Sequence, residues 1–317
     1  MSETLPQIAI IGAGHIGRLL AKRLVLEDGL PVILFNRAGS SSEAAIREEV
    51  EAVNAQARTH GTDAWITLSF NLADIKQCRV IHYVAGAARQ AGEERSALMT
   101  KNAHIVDQFI PPILAANPNA MIINAANPLD MLTRYIYECT RKHGAENRVI
   151  GMGSSLDTRR FLEITEQYLS AMGNDFADTM VEGAYVIGEH GPTMTPIFSK
   201  ATIQGKPFTE IFNEKQIAEI TERTRNRGAE IIQETEHSDV AGPAGRLRDM
   251  TLVVTRGEEH LIPCCLRLES GVFMGVMGNF YKGKVKPVLL DISPKELQGV
   301  HKSLEKLAAE WEGFRNA

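Results

Sequence analysis

Residues 7–26 read QIAIIGAGHIGRLLAKRLVL: an apolar run from Gln7 to Ile11, glycines at 12, 14 and 17, and a helical pattern from Ile16 to Leu26. A G-x-G-x-x-G cluster between a strand and a helix is far more informative than the glycines alone. Gly12 permits a tight turn, Gly14 lets the backbone approach a pyrophosphate, and Gly17 lets helix and strand pack closely. The helix N-terminus adds amide donors and positive potential. Gly12, Gly14, Ile16 and Gly17 are therefore expected to bind a dinucleotide.

Working outward, further short β-type runs recur at Leu30 to Phe35, Ala64 to Ser69, Val80 to Ala85 and Met121 to Ala125. Helix-length segments separate them, at Ser42 to Arg58 and at Glu93 to Ala116. That alternation predicts right-handed βαβ crossovers and a parallel sheet. The Pro111-Pro112 pair is expected to end or kink the third helix. The pattern changes near Val149, after which helices are expected at Asp157 to Ser170, Asn213 to Glu236 and Ser293 to Phe314. Strands are expected at Met180 to Gly188, within Ile197 to Phe208, and between Leu261 and Val285. The fold class is thus α/β: an N-terminal Rossmann parallel-sheet domain over 1–150, with a loop at 86–96, followed by an α+β domain over 151–317.

Composition narrows the function. Lys and Arg total 34 against 39 Asp and Glu, giving a net charge of -5, so no global basic field attracts nucleic acid or anionic lipid. The apolar runs fall short of the roughly 20 residues a membrane helix needs. Four cysteines, Cys78, Cys139, Cys264 and Cys265, show no metal-ligand spacing, and the opening MSETLPQIAIIG has no secretory pattern. The expectation is a cytoplasmic protein with no nucleic-acid or membrane partner and no metal.

An NAD site ordinarily carries an acidic residue at the end of the second strand, about 20 residues beyond the glycines. Here that position reads Leu34-Phe35-Asn36-Arg37. Asn36 brings no charge to repel a 2′-phosphate, and Arg37 with Ser40 could donate to one. The reading favours NADP(H), with NAD(H) as the alternative if Arg37 is only a solvated loop cation.

Four separated segments carry the chemistry. They are Asn127 in NAANPLD (124–130), Asp157 and Arg160 in SLDTRRF (155–161), His190 in IGEHGP (187–192), and Arg89 with Arg95 in GAARQAGEER (86–95). Asp157 and Arg160 stand three apart, on one helical face, which would equally suit a surface ion pair. With these motifs in this order, the chain resembles the lactate/malate dehydrogenase family along nearly its whole length. The resemblance implies reversible hydride transfer between a nicotinamide and a 2-hydroxy acid, and a homodimer or homotetramer. His104 and His82 lack a supporting constellation, as does His237, and are read as structural; Cys264-Cys265 is read as packing.

Residue types fit that implied reaction. Reduction of a 2-oxo acid puts hydride on C2 while charge grows on the carbonyl oxygen, so a proton donor and a cation are needed beside it. His190 would exchange the proton, and Asp157 would fix its tautomer. Arg160 would clamp the C1 carboxylate as a planar fork. Asn127 would hydrogen-bond the reacting oxygen and also border the cofactor. Arg95 matches the family's lid arginine. Position 89 matches the lid site that holds Gln in the lactate enzymes and Arg in the malate enzymes; Arg89 therefore points to malate/oxaloacetate, because a second buried guanidinium needs a second carboxylate. Gly242, where the lactate enzymes carry Thr, implies a roomier pocket. Pro192 departs from the family's acidic residue, and the Asp157 to His190 spacing is longer than usual. Lactate, another 2-hydroxy acid or a sulfonate analogue stays open as substrate. More distant alternatives are a metal- and NAD-dependent glycosidase and a catalytically silent nucleotide-binding regulator.

Overall fold

A computed structural model describes residues 7–88, 94–141, 144, 149–173, 179–235 and 239–316. The chain forms two compact units, one comprising Met1–Gly151, Pro243–Glu259 and Tyr281–Lys284, the other Met152–Gly242, His260–Phe280 and Val285–Ala317.

In the first unit the chain runs β1 (Ile8–Ile11), α1 (His15–Leu26), β2 (Val32–Phe35), α2 (Glu43–Thr59), β3 (Ile66–Ser69), β4 (Val80–Tyr83), α3 (Arg95–Ala116), β5 (Met121–Asn124), α4 (Leu129–Arg141) and β6 (Val149–Gly151). The strands lie in the order β6-β5-β4-β1-β2-β3, and every pairing among them is parallel. Strand order reverses between β1 and β4, the switch point where open α/β sheets leave a crevice beyond the strand ends. β1, β2, β4 and β5 are buried at every position, which is why they read as continuous apolar runs and not as alternating ones.

Two expectations need correction. Helix α3 does not end at Pro111-Pro112 but continues to Ala116. Proline's fixed φ suits a helix, and burial of Phe109, Ile110, Ile113 and Leu114 around the pair offsets the missing amide bonds. The run at 180–188 is two strands, β7 (Val181–Glu182) and β8 (Tyr185–Ile187), parted by Gly183 at φ +64. His82 on β4 is fully buried, and its Nε2 lies 2.6 Å from Thr251 Oγ1. Burial pushes its pKa down to about 3, so the ring is a neutral core group.

The second unit begins with α5 (Gly153–Ala171), followed by β7, β8, β9 (Thr195–Ile197), β10 (Thr202–Ile203), β11 (Lys206–Pro207), the single turn α6 (Phe208–Ile211) and α7 (Glu214–Thr235). Next along the chain is α8 (Ala241–Arg256), which belongs to the first unit from Pro243 onward, and the second unit resumes with β12 (His260–Arg267), β13 (Phe273–Tyr281), β14 (Lys284–Val288) and α9 (Pro294–Arg315). Strands β12 and β13 form an antiparallel pair. Phe161, Ile164 and Leu169 on α5 pack with Val186, Phe208, Phe212 and Ile220 into one core. That packing fixes the rotation of α5 about its axis, and so the direction of the polar residues on its other face. Cys264 and Cys265 are buried in β12, and burial pushes the Cys264 thiol up; both serve as packing groups.

Candidate active site

The glycine loop is built as its sequence predicts. Gly12 adopts φ +118, and a Cβ there would stand 2.9 Å from the Ala85 amide nitrogen. A Cβ at Gly17 would collide with the Gly12 carbonyl oxygen. Gly14 caps α1 with no side-chain hydrogen bond, no acidic residue occupies the first turn, and nothing lies within 4 Å of where its Cβ would be. Uncapped first-turn amides next to the open space at Gly14 suit an anion, so this cradle fits the pyrophosphate of a dinucleotide. At the end of β2, Asn36 Nδ2 donates to Ser40 Oγ at 2.8 Å and Arg37 is exposed. Glu43 accepts the Gly39 amide at 2.9 Å and pairs with Arg47 at 2.8 Å.

Asn127 follows β5 in a turn shaped by two other asparagines. Asn124, fully buried, accepts the Ala126 amide at 2.9 Å and donates to Thr133 Oγ1 at 2.9 Å. Asn102 on α3 accepts the Ala87 amide at 2.7 Å and donates to the Asn127 carbonyl at 2.6 Å. Asn102 thereby ties the start of the 86–96 loop to the Asn127 turn. It is an unforeseen positioning residue, and its one signal in the sequence is a polar side chain within the buried stripe of Leu98, Met99, Ala103 and Val106. Arg95, half-buried, opens α3, a helix end where a cation is electrostatically unfavourable. Arg89 lies outside the described residues.

In the second unit, α5 and the turn after β8 bring the expected pair together. His190 Nδ1 lies 2.7 Å from Asp157 Oδ2. Asp157 is fully buried and Arg160 Nη1 stands 3.9 Å from its other oxygen. Arg159, one residue earlier, turns outward to pair with Glu163 at 2.6 Å. The 3.6-residue period separates the two arginines into one beside the buried Asp157 and one in a surface ion pair.

The turn bearing His190 is held from several sides. Gly188, at φ +94, exchanges two backbone hydrogen bonds of 2.8 Å with Gly275. Glu189 is fully buried, accepts the Thr193 hydroxyl at 2.7 Å, and receives Lys306 Nζ at 2.7 and 2.8 Å. Gly228, inside α7, is placed so that a Cβ would stand 3.2 Å from Arg160 Nη1. An interior glycine weakens a helix by up to about 1 kcal/mol, and here the missing carbon leaves room for a guanidinium. Arg160 Nη2 donates to Asp239 Oδ2 at 3.2 Å, and Asp239 Oδ1 accepts the Gly242 amide at 3.0 Å. Gly228 had the signal of a glycine inside a helical run; Glu189 and Asp239 had none beyond their charge.

No group of three or more His, Cys, Asp or Glu among the described residues is arranged to hold a metal. Among them, too, no helix is long and apolar enough to cross a membrane.

Comparison with known proteins gives one consistent result. A model of the family described as lactate/malate dehydrogenase, NAD binding domain, matches residues 6–151, and its partner, lactate/malate dehydrogenase, alpha/beta C-terminal domain, matches residues 154–315. The chain is 30% identical to a malate dehydrogenase of Methanosarcina acetivorans over 96% of this chain and 97% of that one. Among solved structures it resembles the malate dehydrogenase of Cryptosporidium parvum, at 27% identity and TM-score 0.87, covering 99% of this chain and 100% of the other. It also resembles the lactate dehydrogenase of the same organism, solved with lactic acid and nicotinamide adenine dinucleotide, at 25% identity and TM-score 0.86 over 99% of each chain.

Proposed function

The chain belongs to the lactate/malate dehydrogenase family, and from that premise we propose that it is an NAD(P)-dependent oxidoreductase interconverting malate and oxaloacetate. The observation that carries the reading is the 2.7 Å contact between His190 and the buried Asp157, with Arg160 on the same face of α5. In this reading residues 1–150 form the dinucleotide-binding domain, with the loop at 86–96, and residues 151–317 the substrate/catalytic domain.

Gly12, Gly14, Ile16 and Gly17 would cradle the pyrophosphate, and Asn36, Arg37, Ser40 and Asn127 would border the rest. When bound, the nicotinamide supplies or accepts the hydride. The chain's own residues do the remainder. Asp157 commits His190 Nδ1, so the proton passes through Nε2 to the carbonyl oxygen as it becomes a hydroxyl, and returns in the reverse direction. Arg160 orients the C1 carboxylate, Arg95 and Asn127 stabilise charge on the reacting oxygen, and Arg89 neutralises the C4 carboxylate. Four cysteines, none of them in a disulfide, support a reducing, cytoplasmic setting, and family membership supports a homodimer or homotetramer.

Wild-type protein should oxidise reduced nicotinamide with oxaloacetate at least about tenfold more efficiently than with pyruvate, the size of one mispaired buried charge being at least about 1.4 kcal/mol. Near-ultraviolet absorbance of the coenzyme reads the rates. Arg89→Gln should move the ratio toward pyruvate, and faster turnover of pyruvate by the wild type would install the lactate reading, which the likeness to the lactate enzyme favours.

The finer coenzyme preference is for NADP(H). It is supported by the absence of an acidic side chain at Asn36 and by the exposed Arg37 beside it. Arg37→Ala should raise the KM for NADPH about tenfold or more and leave NADH nearly unchanged, a lost charge-assisted hydrogen bond being worth about 1.5–3 kcal/mol. Equal effects on both coenzymes would rule out a phosphate contact.

A further inference from the structure

Arg160 is already engaged by a carboxylate of the chain itself. Asp239 Oδ2 accepts from Nη2 at 3.2 Å, the two side chains are only 12% and 16% exposed, and Nε of Arg160 has no hydrogen-bond partner among the described residues. Nη2 belongs to both edges of a guanidinium that can grip a carboxylate bidentately, one shared with Nε and one with Nη1. Nη2 carries one N–H toward each edge, so the Asp239 carboxylate takes one of them and sets its negative charge beside the other. Two features hold Asp239 there. Its Oδ1 takes the Gly242 amide at 3.0 Å, and the missing side chain of Gly242 makes the room, since a Cβ there would stand 2.5 Å from Oδ2.

We propose that Asp239 is a specificity-determining residue of the Arg160 subsite, a resident carboxylate that competes with the carboxylate of an incoming acid. The proposal rests on the reading of Arg160 as the C1 carboxylate anchor. Arg160 and Asp239 together present a donor edge beside an acceptor. A carboxylate entering that subsite meets like charge and must displace Asp239 or share its partner. A neutral group that both accepts and donates, such as a primary carboxamide, matches the pair as it stands. Asp239 thus taxes acids relative to their uncharged analogues and raises the KM of the acid, without touching the bond that His190 helps to make.

Asp239→Asn keeps the side-chain shape and the acceptor for the Gly242 amide while removing the charge. Its KM for oxaloacetate should fall at least about tenfold with kcat within about twofold of the wild type, a change of about 1.4 kcal/mol in substrate binding. For the C1 amide of the same 2-oxo acid, KM should stay the same or rise. An unchanged or higher KM for the acid, or equal changes for acid and amide, overturns the proposal, because an Asp239 that merely braces the start of α8 predicts one of those. Gly242→Ala, which crowds the carboxylate away from its seat, serves as the second variant and should likewise lower the KM of the acid without lowering that of the amide. If the wild type reduces no 2-oxo acid, the dehydrogenase reading fails by itself. The competition is then read with oxalate: its upward shift of Tm must be larger for Asp239→Asn than for the wild type, and equal shifts reject the competition.

Discussion

Replacing His190 with Asn is expected to slow 2-oxo acid reduction about 10³-fold, within the roughly 10²–10⁴ that a positioned proton carrier contributes. The substitution is selective. An Asn side chain offers an N–H close to where Nδ1 of the imidazole meets Asp157 at 2.7 Å, so the buried carboxylate keeps a donor. What disappears is the second ring nitrogen and its capacity to gain and lose a proton. KM should change little and coenzyme binding, measured by fluorescence quenching, should be unaltered, because the glycine cradle lies in the other unit. A His190→Asn enzyme within about fivefold of the wild type would remove His190 from the mechanism and return the chain to the class of silent nucleotide binders.

The second large effect concerns stability. Lys306→Met should destabilise the protein by about 3 kcal/mol in urea unfolding, because it strands the carboxylate of Glu189, which is fully buried. Lys306 is itself 31% exposed, which places the cost at the lower end of the usual 3–5 kcal/mol for breaking a buried pair. The Thr193 hydroxyl and amide remain on Glu189 at 2.7 and 3.3 Å and offset part of the loss. Adding Glu189→Gln should recover much of the stability, since the uncompensated charge and not the lost attraction is the main cost. By contrast Arg315 and Glu312, 59% and 63% exposed, form a pair whose loss should be almost undetectable. A Lys306→Met protein as stable as the wild type would show that water reaches Glu189.

What the sequence disclosed, and what it concealed, follows from the range over which each interaction acts. The glycine cradle, the parallel strands and the C-terminal end of α5 are local patterns, and glycine spacing or apolar periodicity spells them out, whereas the first turn of α5, Gly153 to Leu156, opens on glycine and two serines and was not foreseen. Helix α8 was not foreseen because it opens with AGPAG, three breakers among five residues, before a run rich in β-branched side chains. Helix α4 was hidden behind the Asn127-Pro128 turn, which reads as loop. His190 and Asp157 were legible as a pair only through the order of the motifs. Their neighbours were not, because Arg160 finds Asp239 and Glu189 finds Lys306 across long stretches of chain, and an acidic residue announces no partner. Asn102 and Gly228 left fainter traces, each as the wrong residue type for its helical position.

The backbone bridge between Gly188 and Gly275 has an evolutionary corollary. Side chains are the usual knobs by which a protein line drifts, and at this junction there are none to turn: a methyl on Gly275 would run into Ser154, and one on Gly188 would stand 2.6 Å from the Ser303 hydroxyl. The height of the histidine above the strand that carries Gly275 is therefore set by backbone alone. Divergence toward new acids has to be written elsewhere, on the rim at Gly228, Asp239 and Gly242, so a directed-evolution library should concentrate its diversity there and leave the junction untouched.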